Sequence, residues 1–521
     1  MVASAYDAKI DGIYYNLNAT TKKAEVTNNG QGGTSYYYMY KDDLVIPETV
    51  THEGVTYTVT RVGDEACYTC FDLTSVSIPK TVTEIGEDAF YSCSYLTSVT
   101  LCEGLVKIGK FAFGECAKVA SFSIPSTVTE IGDYAFAKCH ALTSFIIPSK
   151  VTKIGDSTFW QCKNMTSITI PDDVTSIGTC AFQDCMGLTS ITIPSKVTSI
   201  GKNAFVGCTA LTRVNISNLA GWCSISFDSD ETNPLYYAHH LYLNGEEVKE
   251  LVVPNGVTKV SARAFVGATS LTSVTIPGSV TLIGEGAFQG CTALTSATLS
   301  EGLTQMEYMS FAECPGLTEM VIPNSVTVLS GSVFESCSGL KSVTIGSGIE
   351  DLYWGVFTYC TALTEVYCLA ESVPYTYHAF EDFNIKNATL YVPAVALEAY
   401  KANDSWNKFK QILPISSKLS TPVISVVGGK LKIEGNTTGV TYKTTYNYVD
   451  AKTDVKDGEI VLGGTFTCHI SVIASKEGLE DSDPAEIDVE LSVGPQGDVN
   501  HDGNVSITDA VSVVNQILNN E

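Results

Sequence analysis

The sequence predicts a repeat solenoid of 23-residue β-coil units, followed by a small β-sandwich and a C-terminal loop-helix. Three observations carry this reading. From Leu73 the segment LTSVSIPKTVTEIGEDAFYSCSY recurs, so that Phe90, Phe113, Phe136, Phe159, Phe182 and Phe205 follow one another at intervals of 23 residues. Cys70, Cys93, Cys116, Cys139, Cys162, Cys185 and Cys208 keep the same interval, as do Cys291, Cys314, Cys337 and Cys360. Beyond residue 416 the period gives way to short alternating runs.

Within one unit, Leu73, Val76 and Ile78 show the spacing of a strand whose inward side chains enter a core, and Pro79 ends that strand. Val82 and Ile85 begin the return path, Gly86 permits a tight turn, and Ala89, Phe90 and Cys93 supply the far wall. A single coil leaves its apolar face bare, so stability comes from stacking on neighbours, and both ends need caps.

The strand-end column places the elements in order. Residues 1–72 are the N-terminal cap and a modified first repeat, because the step from Ile46 to Ile78 is 32 residues and THEGVTYTVT fills the excess over one period. Residues 73–218 form the first array, with Ile78, Leu101, Ile124, Ile147, Ile170, Ile193 and Ile216 in column. The step from Ile216 to Val253 is 37 residues, so 219–247 is an insertion, in which NPLYYAHHLYLNG reads as a β-hairpin. Residues 248–374 are the second array, with Ile276, Leu299, Ile322 and Ile345 back in phase. Residues 375–416 read as the C-terminal cap: a last strand ending at Pro393, then a helix with Leu397, Tyr400, Trp406 and Phe409 as its apolar contacts. The runs TPVISVV, KLKIEG, VTYKTTY, GEIVLGG, TCHISVIAS and AEIDVELSV predict a β-sandwich over 417–494, and 495–521 is a separate tail.

Composition narrows the function classes. At 521 residues and 44% hydrophobic content the chain buries an ample core. A formal charge of -26 argues against nucleic acid and anionic membrane surfaces, which require Lys and Arg clusters. No apolar run spans a bilayer, so no membrane insertion is expected. The opening MVASAYDAK lacks the basic start and apolar core of a signal peptide; the expectation is an extracellular or cell-surface protein whose export signal has been trimmed away. The seventeen cysteines fall mostly in a column, which reads as a ladder of reduced, buried thiols that cap turn carbonyls rather than as disulfides or metal ligands.

The unit LTSVxIPxxVTxIGxxAFxxC resembles that of the BspA-like leucine-rich repeat surface proteins, of the kind common in Bacteroidetes. The opening DGIYYNL, the insertion and the closing LYVP with SWNKF resemble that family's flanking parts, so the likeness covers residues 10 to 416. It implies a cell-surface or secreted binding and adhesion protein. Its partner would be a host or bacterial surface protein or a polysaccharide. Residues 417–494 resemble, more loosely, the immunoglobulin-like modules that follow such arrays.

The strongest local motif is DVNHDGNVSITD, from Asp498 to Asp509. A calcium loop needs oxygen donors at its first, third and fifth positions, glycine at the sixth and an acidic residue at the twelfth. Asp498, Asn500, Asp502, Gly503, Asn504 and Asp509 fill these places, which predicts one calcium site. The motif resembles the first half of a type I dockerin. An alternative function follows from it: an accessory carbohydrate-binding component of an extracellular polysaccharide-degrading assembly, tethered by the tail to a cohesin-like partner. A dockerin carries two such units, and only one is present here.

No enzyme signature stands out. His239 and His240 lie near Asp228, Asp230 and Glu231, but adjacent histidines on a strand point apart and no metal spacing such as HExxH occurs. The chain is therefore expected to be no enzyme, without catalytic residues. The outward strand positions are more suggestive. Ser75, Ser98, Ser121, Ser144, Ser167 and Ser190 form one hydroxyl column, and Ser77, Thr100, Ser123, Thr169 and Thr192 form the next, interrupted by Ile146. Small hydroxyl residues suit any exposed ladder. They equally suit an extended ligand face, with Arg213, Glu319, Glu365 and Tyr367 marking where contacts concentrate.

Overall fold

The computed structural model describes residues 6–30, 39–380, 385–415, 423–427, 430–434, 440–449, 453–456, 459–462, 464–475, 482 and 484–493. Through residue 415 the chain is a coil with three hydrogen-bonded sides. The first side is a ladder of long parallel strands such as Leu73–Ile78 and Ser98–Leu101, in which Ser75 pairs with Ser98 and Val76 with Val99. The second is a ladder of two-residue strands, with Glu84–Ile85 pairing with Lys107–Ile108 and that with Glu130–Ile131.

The third side has no strands. Asp88, Phe90 and Ser92 donate N–H groups to the carbonyls of Lys110, Ala112 and Gly114 at 2.9, 2.8 and 2.7 Å, while Tyr91 and Cys93 donate within their own turn. Asp88 and Ser92 adopt left-handed backbone, φ 54° and 57°, and Phe111 and Glu115 repeat this one coil later. The left-handed residues stand four apart at the two ends of the turn, and every second N–H from one to the other points to the next coil, so the turn side is laddered by backbone bonds without strands.

Gly86 does not supply the expected turn geometry. The left-handed positions are Asp88 and Ser92, whereas a Cβ on Gly86 would stand 2.7 Å from the Asp64 nitrogen and 2.8 Å from the Gly63 carbonyl carbon. Gly109, Gly132 and Gly201 repeat the approach, each with backbone atoms of the preceding coil at 2.5 Å. The glycine column lets successive coils touch.

The core is a set of stacked columns. Phe90 to Phe205 lie nearly parallel, with centroids 5.2 to 5.9 Å apart, and Phe265 to Phe357 repeat the stack at 5.0 to 6.1 Å. The cysteine column lines the same interior. Cys116 Sγ donates to the Phe90 carbonyl at 3.2 Å, and Cys139, Cys162, Cys185 and Cys208 repeat the bond to Phe113, Phe136, Phe159 and Phe182. The inter-coil ladder uses the carbonyls on either side of each Phe and skips the Phe carbonyl itself. The thiol of the next coil supplies that buried oxygen with a second donor.

The N-terminal cap converts an antiparallel start into the parallel array. Ala8–Ile10, Ile13–Asn18 and Lys23–Thr27 are antiparallel; Lys23–Thr27 then pairs parallel with Val55–Val62, which pairs with Glu84–Ile85. THEGVTYTVT is the hairpin of Thr49–His52 and Val55–Val62.

The insertion is more helical than expected. Leu219–Ser224 is a helix capped by Asn218, whose side chain accepts from Gly221 N–H, and Pro234–Ala238 is a second helix capped by Asn233. Only Leu241–Leu243 and Glu246–Glu247 form the hairpin. Side chains here replace one rung of backbone bonds. Thr232 Oγ1 and Tyr237 OH accept the Asn203 and Gly207 N–H groups on one side; Trp222 Nε1, Asn233 Nδ2 and His239 Nδ1 bond the carbonyls of Ala264, Arg263 and Gly267 on the other.

At the C-terminal end the helix is short, Leu397–Ala402, and Trp406–Lys408 is a separate 3-10 turn. An unexpected strand, Gln411–Pro414, then adds one more rung beside Thr389–Val392. Tyr400 OH donates to the Ala370 carbonyl at 2.9 Å and Trp406 Nε1 to that of Pro374 at 3.1 Å, which closes the last coil as Trp222 closes the insertion. Farther on, Val423–Val427 pairs antiparallel with Lys430–Glu434, Thr441–Val449 with Gly464–Ser475, and Gly464–Ser475 with Ala485–Val493. A further hairpin joins Thr453–Lys456 to Glu459–Leu462. Asp498, Asn500, Asp502, Asn504 and Asp509 lie outside the described residues.

Candidate ligand-binding surface

The long-strand side carries the hydroxyl columns in register. Ser144 pairs with Ser167, Ser190 with Arg213, and Ser75 with Ser98; Ser98, Ser121, Ser144 and Ser167 are exposed, while Ser75 is held by Asp43 at 2.6 Å. In-register parallel pairing points equivalent side chains the same way within each of three separate ladders, Ser75 with Ser98, Ser144 with Ser167, and Ser190 with Arg213, while Ser121 stands between the first two outside any strand. The adjacent column is amphipathic rather than uniformly polar. Val45, Ile146 and Val252, paired with Ser77, Thr169 and Thr275, are 68%, 69% and 63% exposed. Val45 and Val252 escape a reading confined to the repeat motif, because they stand where the period is broken.

The marked substitutions do not gather at one place. Arg213 lies over the Tyr242 ring at 3.7 Å and bonds Asn215 Oδ1 at 2.6 Å, so its guanidinium pins the hairpin of the insertion. Glu319, Glu365 and Tyr367 belong to the second array's ladder, which is not hydrogen-bonded to the first. Glu319 is exposed. Tyr367 stacks on Tyr391 at 4.5 Å and donates to Glu365 at 3.4 Å. Between them Ser342 and Thr344 are buried, so the open hydroxyl strip stops at that coil.

The short-strand side holds a pattern that the hydrophobic columns overshadow in the sequence. Arg61, Glu84, Lys107 and Glu130 occupy one in-register column of alternating charge, with Arg61 Nε 3.4 Å from Glu84 and Lys107 Nζ 3.0 Å from Glu130. Arg61 also pairs with Glu25 at 2.6 Å, which ties the cap to the array. The signal was available as opposite charges recurring at the 23-residue interval. Two threonine columns are similar: Thr97 Oγ1 donates to Thr74 and Thr175 Oγ1 to Thr152 in the preceding coil.

The two histidines singled out in the sequence are not brought to a common site. His239 bonds the Gly267 carbonyl and His240 bonds Glu247 at 2.6 Å, so the two rings serve different partners. Burial pushes the thiols of Cys162, Cys208 and Cys291 up to about 12, which keeps them protonated and unreactive near neutral pH. The ladder cysteines are thiols rather than disulfides. Among the described residues, no group of three or more His, Cys, Asp or Glu is placed to hold a metal. Nor is any helix among them long and apolar enough to cross a membrane.

Comparison with known proteins agrees with this repeat architecture. The family described as BspA type leucine rich repeat region (6 copies) matches residues 60–188, 152–230 and 238–364, more than half of the chain. Among solved structures, a leucine rich cell surface protein from Faecalibacterium prausnitzii is 32% identical, covering 71% of this chain and 96% of that one with a TM-score of 0.44. A leucine-rich repeat protein from Bacteroides ovatus is 22% identical over 74% of this chain and 100% of its own, TM-score 0.47. The pneumococcal vaccine antigen PcpA is 18% identical over 78% and 98%, TM-score 0.43. No curated protein matches the chain.

Proposed function

Because the chain belongs to the BspA-type leucine-rich repeat family, we propose that it is a secreted or cell-surface binding and adhesion protein whose long-strand face receives a protein or polysaccharide ligand. The observation that carries this is the mixed surface of that face. Exposed Val45, Ile146 and Val252 each stand on a strand of that face paired in register with its neighbour, beside Ser77, Thr169 and Thr275. Aliphatic side chains flanked by hydroxyl donors and acceptors suit a partner with both apolar and polar faces, and the rigid ladder loses little conformational entropy on binding.

A glycan array run beside a pull-down with host extracellular-matrix proteins identifies the ligand class. Ile146→Glu and Val252→Glu, both on outward positions, are expected to weaken the captured ligand at least about tenfold while the melting transition stays in place. Unchanged capture by both variants would reject the long-strand face as the binding surface.

We extend the proposal to the C-terminal segments: the antiparallel strands after residue 422 act as an immunoglobulin-like module, and Asp498, Asn500, Asp502, Asn504 and Asp509 hold one calcium ion. The donor set supports this, since five oxygen-bearing side chains fall at the spacing a calcium loop requires. Calcium should protect the chain beyond about residue 495 from limited proteolysis, and Asp498→Ala or Asp509→Ala should remove that protection without moving the main melting transition. Identical cleavage with and without chelator would refute the site. A cohesin-like partner retained only in calcium would instead favour the role of a docked accessory to a polysaccharide-degrading assembly.

A further inference from the structure

The two arrays treat their surface aromatic rings differently. In the first, rings are covered by the chain's own lysines: Lys110 over Phe111 at 5.5 Å, Lys138 over Trp160 at 5.2 Å and Lys118 over Tyr95 at 3.8 Å. Residues 73–218 carry ten lysines and one arginine. Residues 264–385 carry a single Lys or Arg, Lys341, against twelve Asp and Glu; Lys341 stands at the start of a long strand on another side of the coil, and the one histidine, His378, meets the Tyr377 ring edge-on at 4.8 Å. In that stretch Tyr308, Tyr353, Trp354, Tyr375 and Tyr377 are between 40% and 63% exposed.

Backbone pairing gathers these rings at the corner between the short-strand and turn sides. Tyr353 N–H donates to Leu329 and Tyr377 N–H to Leu352, both at 2.9 Å, which puts the two tyrosines at equivalent positions on adjacent coils. Trp354 follows Tyr353, and Tyr375 pairs in register with Asp351 on the short ladder. Tyr308 lies toward Gly331, where a Cβ would come within 3.5 Å of its ring, so the bare glycine makes room for it. Glu307 precedes Tyr308, and Glu350 and Asp351 lead into Tyr353.

We propose that this corner of the second array binds a basic polypeptide segment, with its Lys and Arg side chains over the rings and paired to the flanking carboxylates. Ring faces and carboxylates both present negative potential, which favours a cation and repels an anion. The rings extend over four coils, about 14 Å at a strand spacing of roughly 4.8 Å. That length matches about four extended residues. A single small cation would engage one ring, whereas a chain with several cationic side chains engages the set. The surface is distinct from the long-strand face, so its failure would leave the adhesion reading intact.

The test uses the full chain and a fluorescein-labelled peptide of repeated Arg-Gly-Gly, followed by anisotropy. Trp354→Ala and Tyr377→Ala are each expected to weaken binding about tenfold, and Asp351→Asn about threefold, with circular dichroism unchanged. Tyr95→Ala in the first array serves as control and should have no effect. Equal affinity for the wild-type chain and both ring variants would overturn the proposal, since it would mean that overall negative charge alone holds the peptide. It would also be overturned if the ring variants lost affinity for neutral oligosaccharides and kept it for the peptide.

Discussion

Phe159→Ala is expected to lower the stability of the array by about 3–5 kcal/mol. Phe159 is fully buried, stacked between Phe136 at 5.8 Å and Phe182 at 5.6 Å, with Phe145 edge-on at 4.8 Å. On the turn side its coil is bonded to both neighbours, Phe136 N–H donating to the Thr158 carbonyl at 3.0 Å and Phe159 N–H to that of Ala181 at 2.9 Å, and its short strand Lys153–Ile154 pairs with Ser176–Ile177, so the walls nearest the ring have little freedom to collapse into the space left behind. A cavity that does not collapse carries the full penalty of lost contacts. In a stack where each coil touches only its neighbours, the defect should also uncouple the two parts of the array. Urea unfolding checks both effects: a loss of midpoint stability together with a broadened or split transition. A loss below about 1 kcal/mol would show that the phenylalanine column is loosely packed.

The second large effect comes from adding one methyl group. Gly109→Ala is expected to destabilise by about 1–3 kcal/mol or more, because its Cβ would stand 2.5 Å from the carbonyl carbon and oxygen of Gly86. No rotamer change relieves a contact with backbone, and separating the coils would stretch the ladders on all three sides. Gly114→Ala in the same coil is the informative comparison. The nearest atoms there are ring carbons of Tyr91 at 3.0 Å and Phe111 at 3.3 Å, on half-buried side chains able to shift. Thermal melts of the two variants should differ by several degrees, with Gly109→Ala the lower. Equal melting temperatures would mean that coil spacing adapts more readily than three rigid ladders allow.

Part of the candidate surface was legible in advance. The serine strip follows from alternation along a strand together with the 23-residue period, and Ser144 and Ser167 do stand side by side. Arg213 and Tyr367 were legible as departures from the pattern but not in their partners. Both are engaged within the chain, Arg213 by Tyr242 and Asn215, Tyr367 by Tyr391 and Glu365. The aromatic corner of the second array was not legible. Its rings come from three coils within a span of four, and the shift that pairs Tyr377 with the Tyr353 position appears only in the backbone hydrogen bonds.

By itself the sequence determined the coil length, the inward columns and the capping thiols. Each coil must present the same side chains to the next, so the periodic residues are their own record of the stacking. Cys162 reads as a buried donor for this reason, and the structure gives it the Phe136 carbonyl. Only the tertiary structure decided what happens where periodicity fails or where a residue has two uses. Glycine serves both left-handed backbone and close approach, and the position of Asp64 selects the second at Gly86. Asn233 and Tyr237 read as turn and hairpin residues, yet their polar atoms complete hydrogen bonds of coils 30 residues away. Those partners are set by the three-dimensional end of an interrupted ladder, whose unpaired N–H and C=O groups must be satisfied by whatever side chains the insertion brings within reach.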